Sequence, residues 1–318
     1  MASQSFSIMA APLQGLTEAP FRHFHAEIYG TGHMTYFTPF VRLEKGEPRS
    51  RDIRDVTSAL NANHDVTPQI IARDADEFAT LVDAVTAAGY DKVDLNVGCP
   101  FPPQVRKGRG AGLLNHPDRL NAICDVMLSS HIKFSLKMRL GINAPDEYIA
   151  LLPIINRMPL THLTVHPRTA SQQYSGSLHI NHFSHLLSTT HHPVIFNGDL
   201  TTPADIDYLI EQEPTIAGFM LGRGLLRRPS LVAEWIEGSE WSQEKRIAKL
   251  TQLHDSIFKY YKSILCGDTQ ILSKIMPLWE YWGHDFDRKA IKKVLKSHSL
   301  EAYANAVGTL RVQSTSCE

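Results

Sequence analysis

The chain lacks most of the features that would place it in a membrane or in an oxidising compartment. Its four cysteines (Cys99, Cys124, Cys266, Cys317) stand far apart, with no CxxC and no regular spacing, which argues against a disulfide framework or a zinc cluster and for a reducing environment. No apolar run approaches the roughly 20 residues that span a bilayer. The N-terminus has no basic segment followed by a long apolar stretch, so a cytoplasmic location is expected. Charge of one sign is missing as well: 32 Lys and Arg against 33 Asp and Glu leave a net −1, and no global field advertises a nucleic-acid partner. No internal repeat or low-complexity segment is present. No metal site is expected either. Among 16 histidines, His162 and His166 share a strand face and His182 and His185 a helix face, but no acidic residue sits at a ligand spacing beside them.

What is present is alternation. Short β-rich runs at Ser7–Ala11, Thr35–Phe40, Pro68–Ala72, Lys92–Asn96, Lys133–Met138, His162–His166, Val194–Asn197 and Gly218–Leu221 are separated by helical patterns. In 76–88, for example, Phe78, Leu81, Val82 and Val85 fall at helical spacing and Gly89 ends the run. Eight strands alternating with helices predict a closed (β/α)8 TIM barrel of class α/β over residues 1–238. A doubly wound open sheet is the alternative, disfavoured because no GxGxxG follows the first strand. After Trp241 strand-like runs stop. Helical periodicities at 245–261, 268–282, 288–296 and 300–310 predict a small all-helical domain over 239–318, joined near Glu237-Gly238-Ser239.

Barrel chemistry gathers at the C-terminal ends of strands, and each end carries something usable. The fourth strand runs through Asp94-Leu95-Asn96 into Val97-Gly98-Cys99-Pro100, which sets a thiol on a loop just past an asparagine. Ala11-Pro12-Leu13-Gln14-Gly15 after the first strand is a turn whose backbone can lie against a flat ring. Gln69 on the third can donate and accept. Lys137 and Arg139 share a face of the fifth, and the sixth ends in His166-Pro167-Arg168-Thr169. The glycine-containing ends Asn197-Gly198-Asp199 and Gly222-Arg223-Gly224 stand where barrels commonly bind phosphate, with Arg223 adding charge. A phosphate cradle, an inward lysine and a thiol loop together suggest a phosphorylated flavin, with Lys137 stabilising negative charge on the reduced ring. Lys137 also reads as an interior ion-pair partner or a Schiff-base lysine.

Taken in order, APLQGLTEAPFR, DLNVGCP, KGRGAGLL, KMRLG, HPRT, NGD and LGRG resemble the tRNA-dihydrouridine synthase family over nearly the whole chain. The resemblance implies a barrel followed by a helical domain, FMN as cofactor, NADPH as reductant and tRNA as substrate. It implies that Cys99 is the general acid and that Pro12, Leu13, Gln14, Gln69, Lys137, His166, Asn197, Gly198, Asp199, Gly222 and Arg223 meet FMN. Asn96, Arg139 and Arg168 are implied near the target base. Two departures stand out: Leu13-Gln14 where the family usually has methionine and a varied residue, and Pro167 in place of a usual glycine. The implied reaction reduces FMN with NADPH, then transfers hydride to uridine C6 while Cys99 protonates C5 from the opposite face. A thiol whose unperturbed pKa is about 8.5 stays mostly protonated at neutral pH and suits that step.

The target uridine must be turned out of folded tRNA, and phosphate contacts should supply much of the affinity. Arg106, Lys107 and Arg109 beside the thiol loop, and Arg288, Lys289, Lys292, Lys293 and Lys296 on the penultimate helix, are the candidate contacts. No membrane and no obligate protein partner are expected. Three rival readings remain: a small-molecule FMN oxidoreductase of the dihydroorotate type, a Schiff-base aldolase using Lys137, and a non-catalytic RNA-binding barrel.

Overall fold

The computed structural model describes residues 6–30 and 33–315, with the side chains of 284 and 311–315 excepted. Eight parallel strands form its framework: β1 (Ser7–Ala10), β2 (Met34–Phe37), β3 (Val66–Thr67 and Gln69–Ile70), β4 (Lys92–Val97), β5 (Lys133–Gly141), β6 (Leu160–Thr169), β7 (Val194–Phe196) and β8 (Gly218–Leu221). β1 pairs with β2 and β8, and the ladder continues through β7, β6, β5 and β4. β3 closes the ring, because Val66–Thr67 bonds to β2 while Gln69–Ile70 bonds to β4. Pro68 stands at this switch. It has no N–H to donate, and its carbonyl accepts from Asp94 N at 2.9 Å. The expected TIM barrel is therefore the observed one.

Two strands run three residues past their expected ends, and β4 runs one residue past its own. β5 reaches Gly141 and β6 reaches Thr169, paired Gly141 with Thr169 after a register shift between Arg139 and Gly141. Glycine and proline in these segments read as turn signals; here they lie at the bulged end of a ladder, where such residues are tolerated. A small hairpin, Leu43–Glu44 with Glu47–Pro48, carries no apolar alternation that would mark it.

The described chain divides into two compact units. One comprises Met1–Pro12, His33–Gly198 and Leu209–Leu221 and holds all eight strands; the other comprises Leu13–Gly32, Asp199–Tyr208 and Gly222–Glu318. In the barrel unit, helix Ala75–Ala87 buries Phe78, Leu81, Val82 and Val85, and Asp74 caps it by accepting from Glu77 N at 2.9 Å. The helical unit contains Gln243–Ile264, Asp268–Trp282, Arg288–Leu295 and Leu300–Thr315. Ser242 caps the first of these and Asp287 the third, each satisfying N–H groups that lack partners within the helix.

The helical unit packs around Trp282, Ile275, Leu253 and Val294, all nearly inaccessible. Inside it lies a buried polar cluster. The Tyr303 hydroxyl, fully buried, accepts from Trp279 Nε1 at 2.6 Å and bonds His254 Nε2 at 2.7 Å. Cys99, Cys124 and Cys266 are free thiols, and Cys317 lies outside the described residues. Among the described residues no helix is long and apolar enough to cross a membrane.

Because one hydroxyl serves two buried ring nitrogens, Tyr303→Phe should cost about 1–3 kcal/mol by leaving buried groups unsatisfied. Urea denaturation of the full chain checks this; an unshifted midpoint would show that the cluster contributes nothing.

Candidate active site

The thiol loop is held by a chain of buried polar side chains that begins inside the barrel. Asp94 and Asn96 point to the same side of β4 by strand alternation, and both are buried among apolar neighbours. Asp94 is fully buried and accepts from Ser135 Oγ at 2.6 Å and Gln69 Nε2 at 2.7 Å. The Gln69 oxygen accepts from Asn96 Nδ2 at 2.8 Å. The Asn96 oxygen in turn accepts from Gly98 N at 3.0 Å and Cys99 N at 2.8 Å. The direction of every donor is thus set by the carboxylate at the far end. Burial pushes Asp94 up to about 6, against the pull of Ser135, Gln69 and Lys137.

The other side of the loop is closed by backbone. Ala111 N donates to Cys99 O at 3.1 Å. Gly110 lies at φ +58, and a Cβ there would stand 2.8 Å from Cys99 Cβ, so only glycine fits. The KGRGAGLL run is therefore a packing surface for the cysteine. Arg139, buried on β5, donates to Gly98 O at 3.0 Å and Thr169 O at 2.9 Å and lies 5.3 Å from the Tyr174 ring centroid. Burial pushes the Cys99 thiol up, outweighing the nearby positive charges of Arg139, Lys137 and Arg42. The thiol is held protonated at neutral pH.

Lys137 donates to Asn197 Oδ1 at 2.6 Å, while Asn197 Nδ2 donates to Met220 O at 2.8 Å. Burial and then Arg139 lower Lys137 to about 8. Burial likewise brings Arg139 down to about 10, with Arg168 adding repulsion. Arg168 Nη1 stands 3.2 Å from His166 Nε2, and its other nitrogens donate to Gly176 O at 3.2 and 2.8 Å. The barrel unit thus joins Gln69, Asn96 and Cys99 directly, ties Arg139 to their loop, and pairs Lys137 with Asn197 and His166 with Arg168. Gly198 is packed tightly: a Cβ would meet the Phe196 ring at 2.5 Å. Pro12 ends the barrel unit's first segment.

The remaining candidates lie in the helical unit. Leu13 begins it, accepts from Leu16 N and Thr17 N at 3.0 and 3.1 Å, and packs its side chain on the helical core. Gln14 follows in the same turn. Arg223 Nη2 donates to Asp199 Oδ1 at 3.1 Å. Beside Gly222 and Arg223, Gly224 is the tight position, since a Cβ there would lie 1.9 Å from Leu200 O.

Sequence reasoning missed Asp94, Ser135, Gly110 and Tyr174. A charged residue in an otherwise apolar strand marked Asp94, and the β4–β5 register that sets Ser135 opposite it becomes visible only in three dimensions. Tyr174 carries no signal; its loop reads as any polar turn. Asn96 is also recast, since its side chain is occupied in shaping the Cys99 loop.

A family model described as dihydrouridine synthase matches residues 9–301. A tRNA-dihydrouridine(16) synthase of Neisseria meningitidis serogroup A is 30% identical over 243 residues, covering 73% of this chain and 71% of that protein. A tRNA-dihydrouridine synthase B of Pasteurella multocida is 29% identical, covering 70% of this chain and 67% of the other. Its counterpart in Vibrio vulnificus is 25% identical, covering 92% and 87%. A solved structure of a variant of NCR from Zymomonas mobilis shares the fold at TM-score 0.51 and 11% identity, over 74% of this chain and 87% of that one. The barrel with its thiol loop is that of an enzyme, and this chain belongs to the dihydrouridine synthase family.

Asp94 gives the relay a pH signature. Its folded pKa of about 6 lies above 3.8, so its stabilising contribution is complete below about pH 4 and is lost as pH rises through 6. The shift corresponds to about 3 kcal/mol. Asp94→Asn should therefore lose less stability between pH 5 and 7 than the parent, as read by denaturant titration at both pH values. Parallel behaviour of the two proteins would mean that Asp94 does not titrate there.

Proposed function

We propose that this protein is a tRNA-dihydrouridine synthase, a flavin-dependent oxidoreductase that reduces the C5–C6 double bond of uridine in tRNA. FMN is the flavin and NADPH the reductant, and the cytoplasm, where tRNA is the substrate at hand, is the site of action. Family membership supports the reaction class. The single structural observation that carries the mechanism is Cys99, held at the end of β4 by Asn96 with its thiol protonated.

The barrel residues fit an anionic flavin. Arg139 adds to burial in lowering Lys137, Arg168 adds to burial in lowering Arg139, and Asp94, itself pushed up to about 6, is the carboxylate acting on Lys137. A site with this surplus of buried positive charge gains from an anionic ligand. Gln69, Lys137, His166, Asn197 and Gly198 would hold the ring and its chain. Pro12, Leu13, Gln14, Asp199, Gly222 and Arg223 are assigned to FMN on the family resemblance. When bound, the flavin supplies the hydride. Cys99 gives its proton to uridine C5, and Arg139 steadies the loop through Gly98 O. Asn96, Arg139 and Arg168 border the place of the base.

Residues 1–238 are proposed as the catalytic domain and 239–318 as the tRNA-binding helical domain. Helix Arg288–Leu295 buries Ala290, Ile291 and Val294 and leaves Lys292 and Lys293 exposed. With Lys296, His298 and Asn305 they line a groove of about 720 Å³. No observation favours the dihydroorotate-type reductase, the aldolase or the non-catalytic barrel.

Cys99→Ala should keep bound FMN that NADPH still bleaches, yet form dihydrouridine at least about 100-fold more slowly. Flavin absorbance and nucleoside mass spectrometry of treated tRNA read the two halves; parental product formation would remove Cys99 from the acid role. Reversing Lys292 and Lys293 to Glu should weaken tRNA binding and flatten its dependence on salt. Unaltered binding isotherms would exclude that groove.

A further inference from the structure

A second polar cavity, about 660 Å³, opens in the barrel unit beside the thiol loop. Its walls are the hairpin Leu43–Glu44/Glu47–Pro48, the start of helix Ala75–Ala87, and the loop that follows Cys99. Five cations (Arg42, Lys45, Arg73, Lys107, Arg109) face two carboxylates, Glu44 and Glu77.

The carboxylates are already engaged. Arg109, buried, makes a two-pronged bond to Glu77 at 2.8 and 2.6 Å and also donates to Leu43 O at 3.3 Å, so it pins all three walls together. Glu77 further pairs with Arg73 at 3.2 Å, and Glu44 with Arg49 at 3.5 Å. Arg109, a candidate RNA contact by sequence, is thus a structural hub. Lys45 and Lys107 remain: both are exposed, and neither has a carboxylate partner among the described residues. Lys45 sits at φ 55 on the hairpin tip, ahead of Gly46 at φ 88, a backbone conformation that lysine seldom adopts. Gln104 Oε1, on the same loop as Lys107, is buried with no hydrogen-bond partner among the described residues.

We propose that this cleft binds the ribose-phosphate backbone of the RNA strand that delivers uridine to Cys99, an inference that rests on the dihydrouridine synthase reading above. Free cations on two walls suit the phosphodiester oxygens. The orphaned amide oxygen on the Lys107 wall matches a donor that RNA carries at every residue, the ribose 2′-hydroxyl. The phosphate could also be that of the reductant. The cleft, however, is built from the loop that bears the proton donor, and Arg42 in its wall acts on the Cys99 thiol. A uridine must reach that thiol; a nicotinamide has no need to.

The test is Lys45→Asn combined with Lys107→Gln, asparagine being tolerant of the left-handed backbone. FMN content of the purified enzyme reports folding. Fluorescence anisotropy with unmodified tRNA should show binding weakened about 20-fold near 0.1 M salt. The slope of log K against log salt should fall by about 1.4, the loss of two single-strand phosphate contacts. KM for NADPH in flavin reduction without tRNA should stay at the parental value. An unchanged salt slope, or a raised KM for NADPH with tRNA binding intact, overturns the proposal. In either case parental enzyme that still makes dihydrouridine leaves the function standing, whereas parental enzyme that makes none removes the function itself.

Discussion

The geometry of the thiol loop depends on one amide. Asn96 spends its oxygen on two consecutive backbone N–H groups, Gly98 and Cys99, and its nitrogen on Gln69. An asparagine side chain whose oxygen and nitrogen could exchange places would hold this loop in only half of its states. The ambiguity is removed from below. Asp94 accepts only, so Gln69 must present its nitrogen there and its oxygen to Asn96, and Asn96 then turns its oxygen to the loop. A buried carboxylate thereby sets the position of a thiol without touching it. Fully satisfied buried networks of this kind rigidify and specify, and the same low dielectric makes each missing partner costly.

The same carboxylate bears on the charge of the site. Burial favours its neutral form, yet Lys137 nearby favours the charged one. Lys137 itself is pulled toward neutrality by burial and by Arg139. Cations so placed are expensive to bury unless an anion joins them. An anionic ligand would therefore relieve the charge around Lys137. Cys99 feels the opposing influences too: burial keeps it a thiol, and the surrounding cations keep that preference from becoming absolute.

Much of this was legible in the sequence, and what was not has a common cause. Strand and helix existence followed from periodicity, and the helix Asp268–Trp282 and strand Gly218–Leu221 fall where the pattern put them. Residues at strand ends could be named because barrel chemistry collects there. Their partners could not. Ser135 is paired with Asp94 by register across β4 and β5, and Tyr174 reaches Arg139 from a loop that extends well beyond the strand. Arg109 shows the reverse error. In a basic run between glycines it reads as a nucleic-acid contact, whereas Glu77, 32 positions earlier, claims it. Local composition reports charge and leaves open which charges are already paired.

That distinction decides how the loop after β4 divides its labour. Gly110 allows the backbone to close against Cys99, and Arg109 beside it fastens the loop to helix Ala75–Ala87 and to the hairpin. A surface loop carrying the proposed proton donor would otherwise sample many positions, and proton transfer tolerates few. Buried ion pairs add little net stability relative to apolar packing, but breaking one leaves an isolated charge inside. Arg109 with Glu77 is therefore best understood as a lock on loop geometry. Once the lock has consumed the carboxylates, the exposed lysines on either side are left with uncompensated charge. One pairing thus both steadies the thiol and leaves the adjoining cleft positive.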